Sequence, residues 1–248
     1  MHKYFKGYEF FGFVHRGGDE EKTENTLEAF QYSSDLGFVF METDVQSTKD
    51  GEVVVFHDVD LHRIAGIKKK INEFNYKDLK GIELIGGGRI PSLDELLSSF
   101  SNLRFNIDIK ADEAVTKGVE IVKSHNALDR VCLASFSSKR LNKIRKLSGP
   151  DLCSSMGMSE VAKLAMKSFK IPFADQIGDC AQVPVTQWGL PVVTSAFIEE
   201  AHKQNKFVHV WTIDEENEMN RLIKLGVDGL MTDKPSILKK VMEENELF

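Results

Sequence analysis

Residues 10–45 read FFGFVHRGGDEEKTENTLEAFQYSSDLGFVFMETDV, and this stretch decides the fold. Phe10–Val14 is apolar, aromatic and β-branched, the composition of a short buried strand. Asn25-Thr26-Leu27-Glu28 has the form of a capping box and opens a helix that Gly37 ends. A second strand-like run, Val39–Val45, follows at once. Strand, helix and strand in this order form a crossover unit, which joins parallel neighbours in a sheet.

The same alternation continues to the C-terminus. Further strands are expected near Leu103–Ile109, Val131–Ser135, Leu152–Ser155, Ala181–Val185, Phe207–Ile213 and Gly229–Thr232. Helical patterns lie between them, among them one opened by Ser92…Glu95 and one ended by Gly226. Eight such units predict an α/β fold of the (β/α)8 TIM barrel type, although an open doubly wound sheet shares the periodicity. An extra strand fits Glu52–Phe56. Asp60–Arg89 then breaks the alternation and reads as a small insertion, with Gly86-Gly87-Gly88 as a flexible return. No low-complexity linker divides the chain, so residues 1–248 are expected to form one barrel domain.

Composition removes several functional classes. With 42% hydrophobic residues, the 248-residue chain is neither disordered nor fibrous. No apolar run approaches the roughly 18 residues that suggest a membrane span, so no membrane insertion is expected. Lys and Arg number 32 against 38 Asp and Glu, a net charge of -6. Without a basic cluster, no nucleic-acid partner is expected. The short run Lys68-Lys69-Lys70 reads as a solvated face. Cys132, Cys153 and Cys180 match no zinc spacing, and their odd number argues against a disulfide framework; buried thiols are expected. Residues 1–13 do not resemble a signal peptide, which makes cytoplasmic residence the default expectation.

In a parallel barrel the chemistry sits where strands end at their C-terminal side. Side chains alternate along a strand, so Phe11, Phe13 and His15 share a face and His15 emerges at the mouth. Arg16 follows it, and Gly17-Gly18 lets backbone approach a ligand. A lone His at a strand end is also compatible with a plain structural role. Glu42 and Asp44 lie two apart and point the same way. Their mutual repulsion is relieved by a divalent cation, for which oxygen ligands suit Mg2+ or Ca2+. The bland alternative is a surface pair on a strand edge.

In the extra strand Val53, Val55 and His57 share a face, and Asp58 stands where it can orient an imidazole. Asn106, Asp108 and Lys110 also point one way. Three inward polar groups need partners: a metal for Asp108 and an anion for Lys110, or simply each other. Trp211 either floors a pocket or fills the core; His209, deeper on the same face, reads as structural. Two imidazoles, three carboxylates, an Arg and a Lys suit phosphate-ester chemistry. A metal polarises phosphoryl oxygens, Arg and Lys hold the anion, and two His work as acid and base near neutral pH.

The ordered set His15-Arg16-Gly17, Glu24-Asn25-Thr26, Glu42-x-Asp44, His57-Asp58, Asp108-x-Lys110, Trp211-Thr212 and Gly226 through Asp233 to Pro235 resembles the glycerophosphodiester phosphodiesterase family. The likeness runs from about Phe11 to about Leu238. It implies a (β/α)8 barrel that hydrolyses small-molecule glycerophosphodiesters to sn-glycerol 3-phosphate and an alcohol. It implies His15 and His57 as the acid–base pair, and Glu42, Asp44 and Asp108 as ligands of Mg2+ or Ca2+. By the same match Arg16 and Lys110 contact the phosphate, Trp211 lines the glycerol side, and the insertion caps the mouth. The attacking oxygen is that of water or of the glycerol 2-hydroxyl.

Three positions depart from the family pattern: Thr23 replaces a Pro, Asp108 a Glu, and Asp214 an Asn. Asp214 is read as a helix N-cap. Two alternatives stand beside the main reading. One is a lipid-directed phosphodiesterase of the lysophospholipase D or phosphatidylinositol phospholipase C type. For it the insertion's Ile64, Ile67, Ile71 and Phe74 beside Lys68–Lys70 would form a rim. The other is a barrel that binds phosphate without turning it over.

Overall fold

The computed structural model describes all 248 residues. The barrel strands are β1 (Phe11–Val14), β2 (Phe40–Ser47), β6 (Arg104–Ile109), β7 (Val131–Ala134), β8 (Cys153–Ser154), β9 (Cys180–Pro184), β12 (Phe207–Trp211) and β13 (Gly229–Thr232). All are parallel and run in the order β8-β7-β6-β2-β1-β13-β12-β9. The ring closes between β8 and β9 through one parallel bridge, Ser155 to Cys180. There the Met156 N–H donates to the Cys180 carbonyl at 2.7 Å. The alternation read from the sequence is therefore a barrel and not an open sheet.

Alternate side chains decide which layer each strand residue joins. Phe11, Phe13, Phe40 and Met231 fill the lumen with Cys132, Cys153 and Cys180, and Tyr4 and Phe5 of the N-terminal segment plug its base. Phe10, Val14, Met41 and Val45 point the other way, into the layer shared with the helices. His209 lies fully buried in the lumen among Phe5, Phe11 and Phe13, with no partner for either ring nitrogen. Burial lowers its pKa to about 3, so it is a neutral packing residue. The three thiols are buried and unpaired. The lumen is thus sealed at its base by aromatic packing, and polar side chains gather at the opposite end.

The outer helices are α1 (Leu27–Asp35), α4 (Leu93–Ser99), α5 (Ala114–Ser124), α6 (Ser138–Ser148), α7 (Met158–Ser168), α8 (Ser195–Lys203), α9 (Glu216–Leu225) and α10 (Pro235–Glu244). Ser92 and Glu95 form the expected capping box, and Gly226 ends α9 in the left-handed conformation. Two caps differ from the sequence reading. Thr26, not Asn25, caps α1, because the Asn25 side chain is taken by the Thr43 hydroxyl at 2.7 Å. Asp214 caps nothing. Its Oδ1 accepts from the Thr232 hydroxyl and the Asp233 N–H, both at 2.8 Å, and so ties the end of β12 to the end of β13.

The extra strand, β3 (Val53–Val55), runs antiparallel to β2 outside the barrel order. The insertion after it holds β4 (Asp60–Leu61), α2 (His62–Ala65), β5 (Ile67–Lys70) and α3 (Tyr76–Leu79). It builds its own core: Ile64 and Ile71 are buried with Val54, Phe56 and Leu61, and Ile67 and Phe74 pack against them. Lys68–Lys70 are exposed, and Lys69 lies over the Phe74 ring. The expected apolar rim is therefore absent from the insertion, because its apolar side chains are spent on its own packing. Nor is the triglycine return a loose tether. Gly86 and Gly88 hold left-handed φ values, and a Cβ on either would come within 2.8 Å of Thr23 or Thr26.

Candidate active site

The site grows out of strand ends. After Val14 the chain turns sharply: Arg16 has φ 51° and Gly17 and Gly18 have φ 83° and 98°. For a long side chain such as Arg this conformation is strained. The strain is held by two hydrogen bonds. The Asn25 N–H donates to the Arg16 carbonyl at 2.7 Å, and the Arg16 N–H donates to Glu42 at 3.4 Å. The turn brings His15 and the Arg16 side chain over the lumen. Glu42 and Asp44 come from β2, His57 follows β3, and Asp108 and Lys110 come from β6 and the residue after it.

All eight residues singled out from the sequence line one cavity of about 660 Å³: His15, Arg16, Glu42, Asp44, His57, Asp108, Lys110 and Trp211. Its size falls in the range of small-ligand sites. Each imidazole is held by a carboxylate. His15 Nδ1 lies 2.6 Å from Asp233 Oδ1, and His57 Nδ1 lies 2.7 Å from Asp58 Oδ1. A carboxylate accepts, so Nδ1 carries the hydrogen and Nε2 is left for other chemistry. His15 Nε2 stands 3.7 Å from Glu42, beyond hydrogen-bond reach. Asn106 is also satisfied, because Gln182 of β9 donates to its Oδ1 across the lumen at 2.9 Å.

The carboxylates are nearly water-free. Glu42, Asp44 and Asp108 are each no more than 5% exposed. Burial, and then repulsion from Asp44, push Glu42 up to about 8; burial likewise raises Asp108 against the pull of Lys110. His15 moves up to about 9: burial opposes its charge, but Glu42 and Asp233 outweigh it. Lys110 bridges Asp44 at 2.9 Å and Asp108 at 2.7 Å, and Arg16 Nε stands 3.4 Å from Asp44. Even so, Asp44 Oδ2 and Asp108 Oδ1 are buried without a hydrogen-bond donor. No three His, Cys, Asp or Glu side chains stand in a coordinating cluster. Trp211 packs edge-on against Phe136 at 6.0 Å, and the peptide that follows it is cis.

Three contributors were not given roles by sequence reading. Asp233 belongs to the last barrel strand's exit, and its use becomes visible only when the ring closes. Glu24, 2% exposed, receives both Arg16 at 3.4 Å and a two-pronged pair from Arg63 at 2.6 and 2.7 Å. Arg63 belongs to the insertion, and its Nε also donates to Asp58 at 2.7 Å. The insertion is thereby fastened to both the Arg16 turn and the carboxylate behind His57. These contacts hold Asp58 below its ordinary range although burial opposes them.

Arg63→Ala is expected to cost about 1–3 kcal/mol in a urea melt. Breaking a fully buried pair costs ~3–5 kcal/mol, and Arg63 is screened because its side chain is 46% exposed. An unchanged melt and an unchanged kcat would show that these pairs do not fasten the insertion.

Comparison with known proteins agrees with this geometry. Residues 15–237 match the model of the glycerophosphoryl diester phosphodiesterase family. A probable glycerophosphodiester phosphodiesterase 2 of Mycobacterium tuberculosis is 34% identical, over 88% of this chain and 84% of its own. A glycerophosphodiester phosphodiesterase of Caldanaerobacter subterraneus subsp. tengcongensis is 30% identical, over 91% of this chain and 94% of its own. Among solved structures, an Oleispira antarctica phosphodiesterase in complex with the product sn-glycerol-3-phosphate has the same fold, with TM-score 0.79 and 20% identity. It spans 94% of this chain and 97% of that one. By its motifs, its barrel and these matches, the chain is a phosphodiesterase that belongs to the glycerophosphoryl diester phosphodiesterase family.

Proposed function

We propose that this chain cleaves glycerophosphodiesters to sn-glycerol 3-phosphate and an alcohol with His15 and His57 as its acid–base pair. The observation that carries the reading is the pair of carboxylate-held imidazoles in one cavity with Arg16 and Lys110. One imidazole takes the proton of the attacking oxygen as it bonds to phosphorus. The other gives a proton to the alcohol oxygen as its P–O bond breaks. With water as attacker, the products are the phosphomonoester and the alcohol. With the glycerol 2-hydroxyl, a cyclic phosphate forms first and water opens it. Arg16 and Lys110 supply the positive charge that holds the phosphate.

The proposal includes a divalent cation, Mg2+ or Ca2+, held by Glu42, Asp44 and Asp108. The donor chemistry fits: all three are buried oxygen donors, and two of their oxygens lack any hydrogen. When bound, such an ion polarises a phosphoryl oxygen and offsets the charge of the carboxylates. Lys110 now neutralises two of those carboxylates, so the phosphate and the cation together would redistribute its contacts.

A barrel that only captures phosphate leaves unexplained why each imidazole is oriented by a carboxylate. The test is a panel of glycerophosphodiesters incubated with purified protein and Mg2+ or Ca2+, with glycerol 3-phosphate measured. Release of product is expected; capture of substrate without product would overturn the reading. No helix is long and apolar enough to cross a membrane. The three unpaired thiols suit a reducing compartment, and cytoplasmic residence is part of the proposal.

A further inference from the structure

The cavity has two unlike ends. Every charged side chain that lines it comes from the first half of the chain, between His15 and Lys110. From Ala134 onward its lining carries no Asp, Glu, Lys, Arg or His. In that second half α7 presents Met158, Val161 and Ala165, with Phe169 just beyond, at spacings that put them on one stripe. Leu164 is the buried residue of α7 and packs into the barrel wall; the other stripe faces the cavity. Met158 and Phe169 are 52% and 77% exposed, so this stripe has no protein partner.

Opposite it, β10 (Thr186–Gln187) and β11 (Leu190–Pro191) form a hairpin whose two-residue turn is Trp188-Gly189. Both turn residues have positive φ, 51° and 77°. Such turns favour Asn or Asp at the first position, and a Trp there is strained. The sequence nonetheless places its largest apolar side chain at the tip, 85% exposed, and follows it with Leu190 at 68%. Strain retained at a pocket mouth points to a function for the side chain that bears it.

We propose that this second half of the cavity is a subsite for a single aliphatic chain carried by the diester substrate. The inference rests on the phosphodiesterase reading above and names its substrate class. The groove is continuous with the catalytic cavity, so whatever fills it is joined to the diester held at the charged end. A small cationic alcohol finds no carboxylate there, whereas a hydrocarbon chain finds two facing apolar walls. The chain is borne either by the glycerol, as in a 1-acyl lysophosphatidylcholine, or by the alcohol, as in a glycerophospho-N-acylethanolamine.

The test compares kcat/KM for glycerophosphocholine with that for both chain-bearing series, hexanoyl to dodecanoyl, below their micelle-forming concentrations. Full burial gives roughly fourfold per methylene. The groove is open on one side, so a total rise of at least about tenfold along one series is expected. Which series rises identifies the bearer of the chain. Trp188→Asn, which suits the turn, and Phe169→Ser are expected to flatten that rise, with glycerophosphocholine turnover on the same preparations as reference.

Turnover of glycerophosphocholine with no rise in either series would overturn the subsite and leave the phosphodiesterase reading standing. A rise that both variants leave intact would also overturn it. Turnover of no diester at all would overturn both.

Discussion

His15→Ala and His57→Ala are each expected to lower kcat by ~10²–10⁴, the usual contribution of a positioned general acid or base. The geometry makes the two losses comparable, because both rings are set in the same way. In each, a carboxylate fixes Nδ1–H, at 2.6 Å for His15 and 2.7 Å for His57, and Nε2 is left available. Neither ring is core packing: their side chains are 17% and 32% exposed and both line the cavity. Melting curves of the variants are therefore expected to stay close to that of the parent.

The partners give a finer test. Asp233→Asn and Asp58→Asn keep the shape but allow the amide to present its NH2, which favours the wrong tautomer. A loss in kcat with KM little changed is expected for both. If His15→Ala and His57→Ala both turned over at the parent rate, the acid–base assignment would be wrong.

What was legible in the sequence was what depends on local period. Two-residue alternation put Phe11 and Phe13 in the lumen and carried His15 to the mouth, and the same rule placed Glu42 with Asp44 and Asp108 with Lys110. What escaped depends on closure of the ring. Asp233 meets His15 across 218 positions because β13 returns beside β1. Arg63 reaches Glu24 across 39, out of an insertion that interrupts the pattern.

Asp214 looked like a cap because Asp before a helix usually is one; the neighbouring strand end offered two better donors. The apolar surface was sought in the insertion, where isoleucines cluster in sequence. Those isoleucines need one another to give a thirty-residue excursion a core, while the exposed stripe on α7 is spread over twelve positions. Trp188 had no signature at all, since a turn of its kind is announced by Asn-Gly or Asp-Gly.

Chelation is expected to abolish turnover, and the same cation should be visible without any substrate. Glu42, Asp44 and Asp108 bring three buried carboxylates together. The local cations are Lys110, shared between two of them, and Arg16, shared between Asp44 and Glu24. Two carboxylate oxygens remain without a donor, each a standing cost in a site closed to water. An ion bound only by the folded state stabilises it by about 2.7 kcal/mol at a hundredfold excess over Kd. For a chain of this length that corresponds to roughly 5–10 °C in Tm.

Addition of Mg2+ or Ca2+ to EDTA-treated protein is expected to raise Tm on this scale, and Asp44→Asn to remove most of the rise. The two ions should differ. Asp108 is a short side chain, and Mg2+ demands near-octahedral ligands at ~2.0–2.1 Å, whereas Ca2+ accepts 6–8 looser oxygens at ~2.3–2.6 Å. A site that must draw a short carboxylate away from Lys110 should tolerate the looser shell better, so the larger rise is expected with Ca2+. Full turnover in excess EDTA, together with no metal-dependent change in Tm, would leave Lys110 and Arg16 as the only neutralising charges and remove the cation from the mechanism.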